Sequence, residues 1–336
     1  MTLKLTRRTL IAGTAAGLAM PYVTRAQAQA RTLRFAYVNP PEHPGSIGAK
    51  KFCDLFGEKS QKRYNVRFFP SSQLGGDIQV VSSLQGGTID FSLMNADLLA
   101  GVAKDYSLLA LPFLFSSGQE ADKVFDGPFG DKIMKLLPPK NLIGLGFFEL
   151  GFRHLTNSRR EVAKMEDIAG LKVRVVQQPL YIELFNLLGA NAVPMPFPEV
   201  YTALEQKVVD GQENPVSTIF ANKLNEVQKF MSFTRHIYNP QILMVSKKTW
   251  DSFSDADKKA AMDTMAEARP FQRQTSRRIE GEWIEQIKKT TKITDISVAE
   301  FQRLAEKAKP VTDKYSKDAD PAMAKEMFDA IKKARG

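Results

Sequence analysis

An α/β architecture in two lobes is what this sequence predicts, and three observations predict it. Short β-rich runs alternate with helical repeats over residues 32–94, giving the βαβαβ order that builds a mostly parallel sheet covered by helices. The same alternation restarts after residue 142. The chain, at 336 residues, also has the length of about two domains. Its composition, 43% hydrophobic and 25% charged, excludes a disordered chain, a collagen-like fibre and a multi-span membrane protein.

The elements follow in order. Residues 32–38 form a strand that Asn39-Pro40-Pro41 stops. Ile47, Ala49, Phe52, Leu55 and Phe56 recur at helical spacing. Residues 66–69 are a second strand ending at Pro70. Gln73-Leu74-Gly75-Gly76 is a turn, and Asp77 caps a helix running to Leu84. Gly86-Gly87 closes that helix, and residues 88–94 are the third strand. In the second unit, residues 142–148 are an apolar strand. Residues 171–176 alternate at period two, with Leu171, Val173 and Val175 on one face and Lys172 and Arg174 on the other. A helix over 180–188 stops at Gly189, and Pro198-Glu199 opens another through Ala203 and Lys207. Residues 235–245 return to β character. Ser254 with Asp257 reads as a capping box that starts a long helical tract. Ile279, Trp283 and Ile287 share one face of that tract, and Pro270 is expected to kink it. A helix this long exceeds what one small domain needs, so it is expected to lie across two.

Residues 1–30 hold Lys4, Arg7, Arg8 and Arg25, no acidic residue, and an apolar run from Leu10 to Met20. Ala26-Gln27-Ala28-Gln29-Ala30 offers two A-x-A cleavage sites, so the segment reads as an export signal. Its apolar run is shorter than the ~20 residues a spanning helix needs. Thr6-Arg7-Arg8-Thr9-Leu10 has a twin-arginine flavour, with Leu10 where that motif prefers Phe. No cysteine follows the run, so no lipid anchor is expected. The mature chain is expected to be soluble, not membrane-inserted, and free in the periplasm.

The sequence is poor in catalytic and metal-binding material. Cys53 is the only cysteine, which excludes an internal disulfide and a cysteine-rich metal framework. His43, His154 and His236 stand alone, with no second ligand at i+3 or i+4. There is no G-x-S-x-G, Walker A, H-E-x-x-H or G-x-G-x-x-G motif. No catalytic residue, cofactor or metal site is therefore expected. The formal net charge is +10, four of those positive charges lying in the leader. Lys307, Lys309, Lys314 and Lys317 are interleaved with Glu306, Asp313, Asp318 and Asp320, a solvated face and not a nucleic-acid track. The mild positive field suits the gathering of small anions.

Arg153, just beyond an apolar strand, and Arg174, on the polar side of another, stand near strand ends, where α/β sheets bind ligands. A guanidinium fork matches a carboxylate with two parallel hydrogen bonds; a structural salt bridge is the competing reading. Phe197, between prolines in Pro194-Met195-Pro196-Phe197-Pro198, either walls a cleft or fills core. Asp210-Gly211-Gln212-Glu213-Asn214-Pro215 reads as a polar turn in which Asn214, held extended before Pro215, either reaches a pocket or serves the turn alone.

Four segments occur in order: Gly151-Phe152-Arg153-His154-Leu155-Thr156-Asn157, Leu171-Lys172-Val173-Arg174-Val175, Phe197-Pro198-Glu199-Val200-Tyr201-Thr202-Ala203-Leu204, and Val209-Asp210-Gly211-Gln212-Glu213-Asn214-Pro215. With Pro70-Ser71-Ser72-Gln73-Leu74-Gly75-Gly76 and Gly87-Thr88-Ile89-Asp90 upstream, the chain resembles the solute-binding proteins of tripartite ATP-independent periplasmic (TRAP) transporters. The resemblance covers residues 31 to about 330. It implies a two-lobed periplasmic binding protein with hinge strands and a long helix bracing both lobes. Residues 31–150 with about 240–279 are expected in the first lobe, and 151–239 with about 280–330 in the second.

By that resemblance, Arg174 holds a ligand carboxylate, Arg153 adds a second contact, Phe197 packs on the ligand and Asn214 donates to it. Asn39 and Asn95 fall near its polar end, and His43 with Glu42 joins the pocket. An acid commonly follows the L-G-G turn, and here it is Asp77. The loop 39–45 with Gln73, Asn95, Phe148, Glu149 and Gln178 is expected to select the acid: a dicarboxylate, a sugar acid, an oxo or hydroxy acid, or an aromatic acid. The implied function is capture of a small organic acid by lobe closure and delivery to a membrane permease, by a monomer that makes and breaks no bond. A periplasmic sensor subunit and a secreted enzyme are the rival readings.

Overall fold

The computed structural model describes residues 30–336, so the leader with its twin-arginine pair lies outside the described residues. The expected βαβαβ run is present as β1 (Arg31–Ala36), α1 (Pro44–Lys59), β2 (Tyr64–Phe69), α2 (Asp77–Gly86) and β3 (Phe91–Asn95). Two short helices, α3 (Gly118–Phe125) and α4 (Pro128–Met134), precede the long strand β4 (Leu142–Asn157). The second unit comprises β5 (Lys172–Val175), α5 (Pro179–Leu187), β6 (Asn191–Pro194), α6 (Val200–Glu205), β7 (Gly211–Pro215), α7 (Val216–Ala221) and β8 (Phe230–Phe233). The chain then returns through β9 (Tyr238–Ser246) and α8 (Lys247–Asp251) to α9 (Asp255–Ile287), and ends in β10 (Lys292–Asp295), α10 (Val298–Asp318) and α11 (Pro321–Arg335).

The strands run in the order β2-β1-β3-β9-β4-β7-β5-β6, with β8 on β4 and β10 on β8. β4 belongs to both halves. Up to Phe152 it pairs with β9 in the first lobe, and from Arg153 it pairs with β7 and β8 in the second. A register shift between Glu149 and Gly151 marks the crossing. Gly151 has φ +113°, a backbone open to glycine and strained for other residues. That peptide is where β4 passes from one set of partner strands to the other.

One large apolar cluster runs through both lobes, from Val80, Leu108 and Phe125 to Val173, Leu180 and Leu184, and two smaller ones lie apart from it. Phe35, Phe52, Phe56, Phe91 and Phe253 pack with Ala261, Met265 and Ala268 of α9 in the first lobe. Val200, Leu204, Ile219 and Met231 pack with Ile287 of the same helix in the second. The 33-residue α9 therefore has its two ends in different cores, and it runs through Pro270 uninterrupted. Its start is the expected cap, Ser254 accepting from the Asp257 amide. The C-terminal segment departs from expectation. Although α10 packs on α5 of the second lobe, α11 packs on α3 and α4 of the first. Lys132–Glu326 and Arg335–Glu120 ion pairs hold it there.

The Asp210–Pro215 segment also differs from the expected turn. From Gly211 to Pro215 it is β7, buried throughout between β4 and β5. Its polar side chains are accepted inside because partners wait on the neighbouring strands, and a Cβ at Gly211 would stand 2.2 Å from the Thr156 carbonyl oxygen.

Candidate functional site

A cleft between the lobes has an outer chamber of about 470 Å³ and an inner one of about 30 Å³. Asp77, Leu98, Arg174, Val176 and Phe197 line both, which makes them one site. Val38, Asn39, Asn95, Leu150, Asn214 and Thr218 complete the inner chamber.

Arg174 projects from β5. Its Nε and Nη2 donate to the Met195 carbonyl oxygen at 3.0 and 2.6 Å, which fixes the guanidinium plane, and its Cζ lies 5.8 Å from the Phe197 ring centroid. The residue is buried, yet among the described residues no carboxylate forms an ion pair with it, and Nη1 has no partner. Burial pulls its pKa down only to about 10, so the group is charged at neutral pH. Opposite it, Asp77 opens α2. Burial pushes its carboxyl up to about 7, with Arg174 pulling down and Asp97 pushing up further. Asn214 is held by its own neighbours: Oδ1 accepts from Arg153 Nη2 at 3.1 Å and Nδ2 donates to Gln212 Oε1 at 2.6 Å. One amide N–H of Asn214 remains for the cavity it lines.

Arg153 is the contrast. It is fully buried in a paired network, with Nε and Nη2 on the Glu213 carboxylate and Nη1 on Asn239 Oδ1 at 2.7 Å. Burial pushes the Glu213 carboxyl up, but Arg153 and His236 outweigh it and hold it below the usual range. Burial also lowers His236, so its neutral ring donates from Nε2 to Glu213 Oε2 at 3.0 Å and accepts at Nδ1 from the Thr234 hydroxyl at 2.7 Å. Asp97, pushed up to about 6 by burial against the pull of Arg153, completes this layer. Among the described residues one arginine has a carboxylate in direct contact and the other does not.

Of the residues singled out from sequence, Arg174, Phe197, Asn214, Asn39 and Asn95 meet around the inner chamber. Three do not line either chamber. Arg153 lies behind Asn214, spent on Glu213. His43 is consumed as the N-cap of α1: Nδ1 accepts from Gly45 N at 2.9 Å and lies 3.2 Å from the Tyr37 hydroxyl. Burial takes its pKa down to about 3. Gln73 is exposed, because Ser71 and Ser72 both adopt positive φ (54° and 57°) and curl the loop so that Ser72 lines the cavity in its place. Phe148 is core, and Glu149 is taken by Arg277 at 2.9 Å. Leu98, Val176 and Thr218 were missed, since an apolar or hydroxyl residue on a buried element carries no signal that it faces a cavity.

Two hydrogen bonds cross the cleft beside this site. Asn222 Nδ2 donates to Asn39 Oδ1 at 2.8 Å, and Thr218 Oγ1 lies 3.4 Å from His43 Nε2.

Two α/β lobes joined through a shared strand, with an uncompensated buried cation in the cleft, define a solute-binding protein that closes on an anion. Comparison with known proteins agrees. The chain belongs to the bacterial extracellular solute-binding proteins, family 7, whose model matches residues 35–318, the solute-binding family of TRAP transporters. It is 38% identical over 244 residues (73% of this chain, 74% of the other) to the 2,3-diketo-L-gulonate-binding periplasmic protein of Escherichia coli K12. A TRAP periplasmic solute-binding protein of Ochrobactrum anthropi, with its C-terminus bound in the ligand-binding pocket, is 48% identical at TM-score 0.82, covering 92% of this chain and 97% of that one. The sugar acid binding protein of Advenella mimigardefordensis in complex with galactonate is 36% identical at TM-score 0.89, covering 91% and 99%. No described helix is long and apolar enough to cross a membrane.

Proposed function

We propose that this chain captures a hydroxylated monocarboxylic acid of the sugar-acid class between its lobes and delivers it to the membrane permease of a TRAP transporter. The observation that carries the reading is Arg174: buried, charged, fixed by Met195 and without a carboxylate partner among the described residues. A ligand carboxylate supplies what that guanidinium lacks, through charge-assisted bonds to its unused N–H groups. Closure removes water from the pair and strengthens it. Asn39, Asn95 and the free N–H of Asn214 meet hydroxyl groups, and Phe197 covers the carbon chain. Asp77 and Asp97 oppose a second carboxylate, which favours monoanions over dicarboxylates. The named ligands of two relatives, 2,3-diketo-L-gulonate and galactonate, are acids of this class.

In this reading the protein is exported with its leader removed, acts as a monomer and performs no reaction. Arg153 acts by holding Asn214, and His43 and Gln73 have no direct contact with the solute. The test is calorimetric titration of refolded protein with galactonate and gluconate, alongside Arg174→Ala. Removing one partner of a buried charge pair is expected to cost about a hundred-fold or more in affinity. Undiminished binding by Arg174→Ala overturns the assignment.

A further inference from the structure

His43, which opens α1 in the first lobe, meets Thr218 of α7 in the second, and the protons between them can be assigned. Gly45 N donates to His43 Nδ1 at 2.9 Å. A backbone N–H only donates, so Nδ1 carries no proton. The ring is fully buried and its pKa lies at about 3. It is therefore neutral, and its single proton sits on Nε2. Nε2 lies 3.4 Å from Thr218 Oγ1, so the histidine donates and the threonine oxygen accepts.

The proton of the Thr218 hydroxyl then has to go elsewhere, and among the described residues Oγ1 has no hydrogen-bond partner besides His43. A buried donor without an acceptor is costly. Thr218 lines the inner chamber together with Arg174, Asn39 and Asn214. Each of these three has a donor to spare. Nη1 of Arg174 and one N–H of Asn214 are free, and Asn39 keeps one N–H after giving the other to the Tyr37 hydroxyl at 3.0 Å. Asp77, the one carboxylate among the lining residues, takes no bond from Thr218. A carboxylate only accepts and has about four lone-pair sites, which is the complement of this set. In a space of about 30 Å³, a carboxylate on Arg174 lies within reach of Thr218.

We infer that Thr218 is a further carboxylate donor of this site and that His43 is its positioning residue. On closure His43 Nε2–H arrives from the other lobe, occupies a lone pair of Thr218 Oγ1 and turns the hydroxyl proton toward the ligand. This rests on the carboxylate reading above. It adds a residue pair that is complete only when the lobes meet, which is the kind of differential interaction that makes a ligand favour the closed state.

Calorimetric titration of refolded protein with galactonate tests it. Thr218→Val keeps the side-chain shape and removes the hydroxyl. It is expected to lose about twenty-fold or more in affinity, the scale of one hydrogen bond to a charged group. Asn222→Ala, which removes a bond across the cleft but no ligand donor, is expected to lose only about five-fold. Thr218→Ser restores the hydroxyl and is expected to stay within about three-fold of native. His43→Asn keeps an oxygen for Gly45 N at a cap position but lacks the Nε2 donor. It is expected to cost about five-fold in native protein and less than about two-fold when added to Thr218→Val. The two Thr218 variants decide the donor role whether or not His43→Asn folds. The inference is overturned if Thr218→Val loses no more than Asn222→Ala, or if Thr218→Ser is as weak as Thr218→Val. An equal penalty for His43→Asn with and without the Thr218 hydroxyl overturns the positioning role. If native protein binds neither galactonate nor gluconate, the carboxylate reading itself fails and this inference falls with it.

Discussion

Asp77 faces Arg174 across the cleft, and the balance between their charges makes solute affinity depend on pH. The Asp77 carboxyl is held up to about 7 by burial, so at pH 6 it is mostly protonated and the field of Arg174 is unopposed. By pH 8 it is ionised and competes with the ligand carboxylate. Asp97, at about 6, acts in the same sense lower down, while His43, at about 3, stays neutral. Affinity for a monoanion is therefore expected to fall between pH 6 and 8 and the trend to shrink in Asp77→Asn; equal calorimetric affinities at both pH values in the native protein would contradict this. The same shift bears on stability: the native state holds the proton more tightly than the unfolded chain, so the contribution of Asp77 is full below about pH 4 and is lost as pH rises through about 7. At this scale the sequence was informative where chemistry is unusual for its setting. The residues alone left Arg174 open between a carboxylate and a salt bridge, and the resemblance singled it out; Gln73 was expected to help select the acid, but the positive φ of Ser71 and Ser72 puts Ser72 on the cavity wall instead.

The pairing of β4 with β7 turns on Arg153 and Glu213, which join the two strands in a fully buried ion pair. Removing one partner strands the other charge in the core, at a cost of about 3–5 kcal/mol. Arg153→Ala is thus expected to lower the melting temperature of ligand-free protein markedly, and Arg174→Ala, whose charge has no carboxylate partner among the described residues, to leave it nearly unchanged or raise it. Equal effects of the two in differential scanning calorimetry would remove the distinction drawn between them. The strands and helices of the two βαβ units were legible because hydrophobic period and stop signals agree there. β7 was not. Its Asp-Gly-Gln-Glu-Asn-Pro run has turn composition, and only partners distant in sequence, Thr156, Arg153 and His236, make those side chains acceptable inside a sheet.

For the molecule as a whole, the Asn39–Asn222 hydrogen bond joins one lobe directly to the other. Asn222 lines neither chamber of the site, so Asn222→Ala weakens the closed state without removing a residue assigned to the ligand. A loss of about 1 kcal/mol, typical of one hydrogen bond, would speed ligand release roughly five-fold and increase the radius of gyration of the free protein in small-angle scattering; an unchanged off-rate would show that the bond does not restrain opening. Two lobes and a bracing helix were readable from the repeated alternation and from the length of the Ser254 tract. The return of α11 to the first lobe was not, since the interleaved charges of the C-terminal segment define a wet face and say nothing about which core receives the dry one.

That return sets the order in which the protein can be finished as it is made. The first lobe contains the earliest described strand, yet its sheet lacks β9 until residue 246 has been added, and its surface lacks α11 until residues 321–335 have been added. The second lobe waits for Ile287 to close its core. Neither lobe is one continuous stretch of chain, so each is complete only after the chain has crossed to the other and returned.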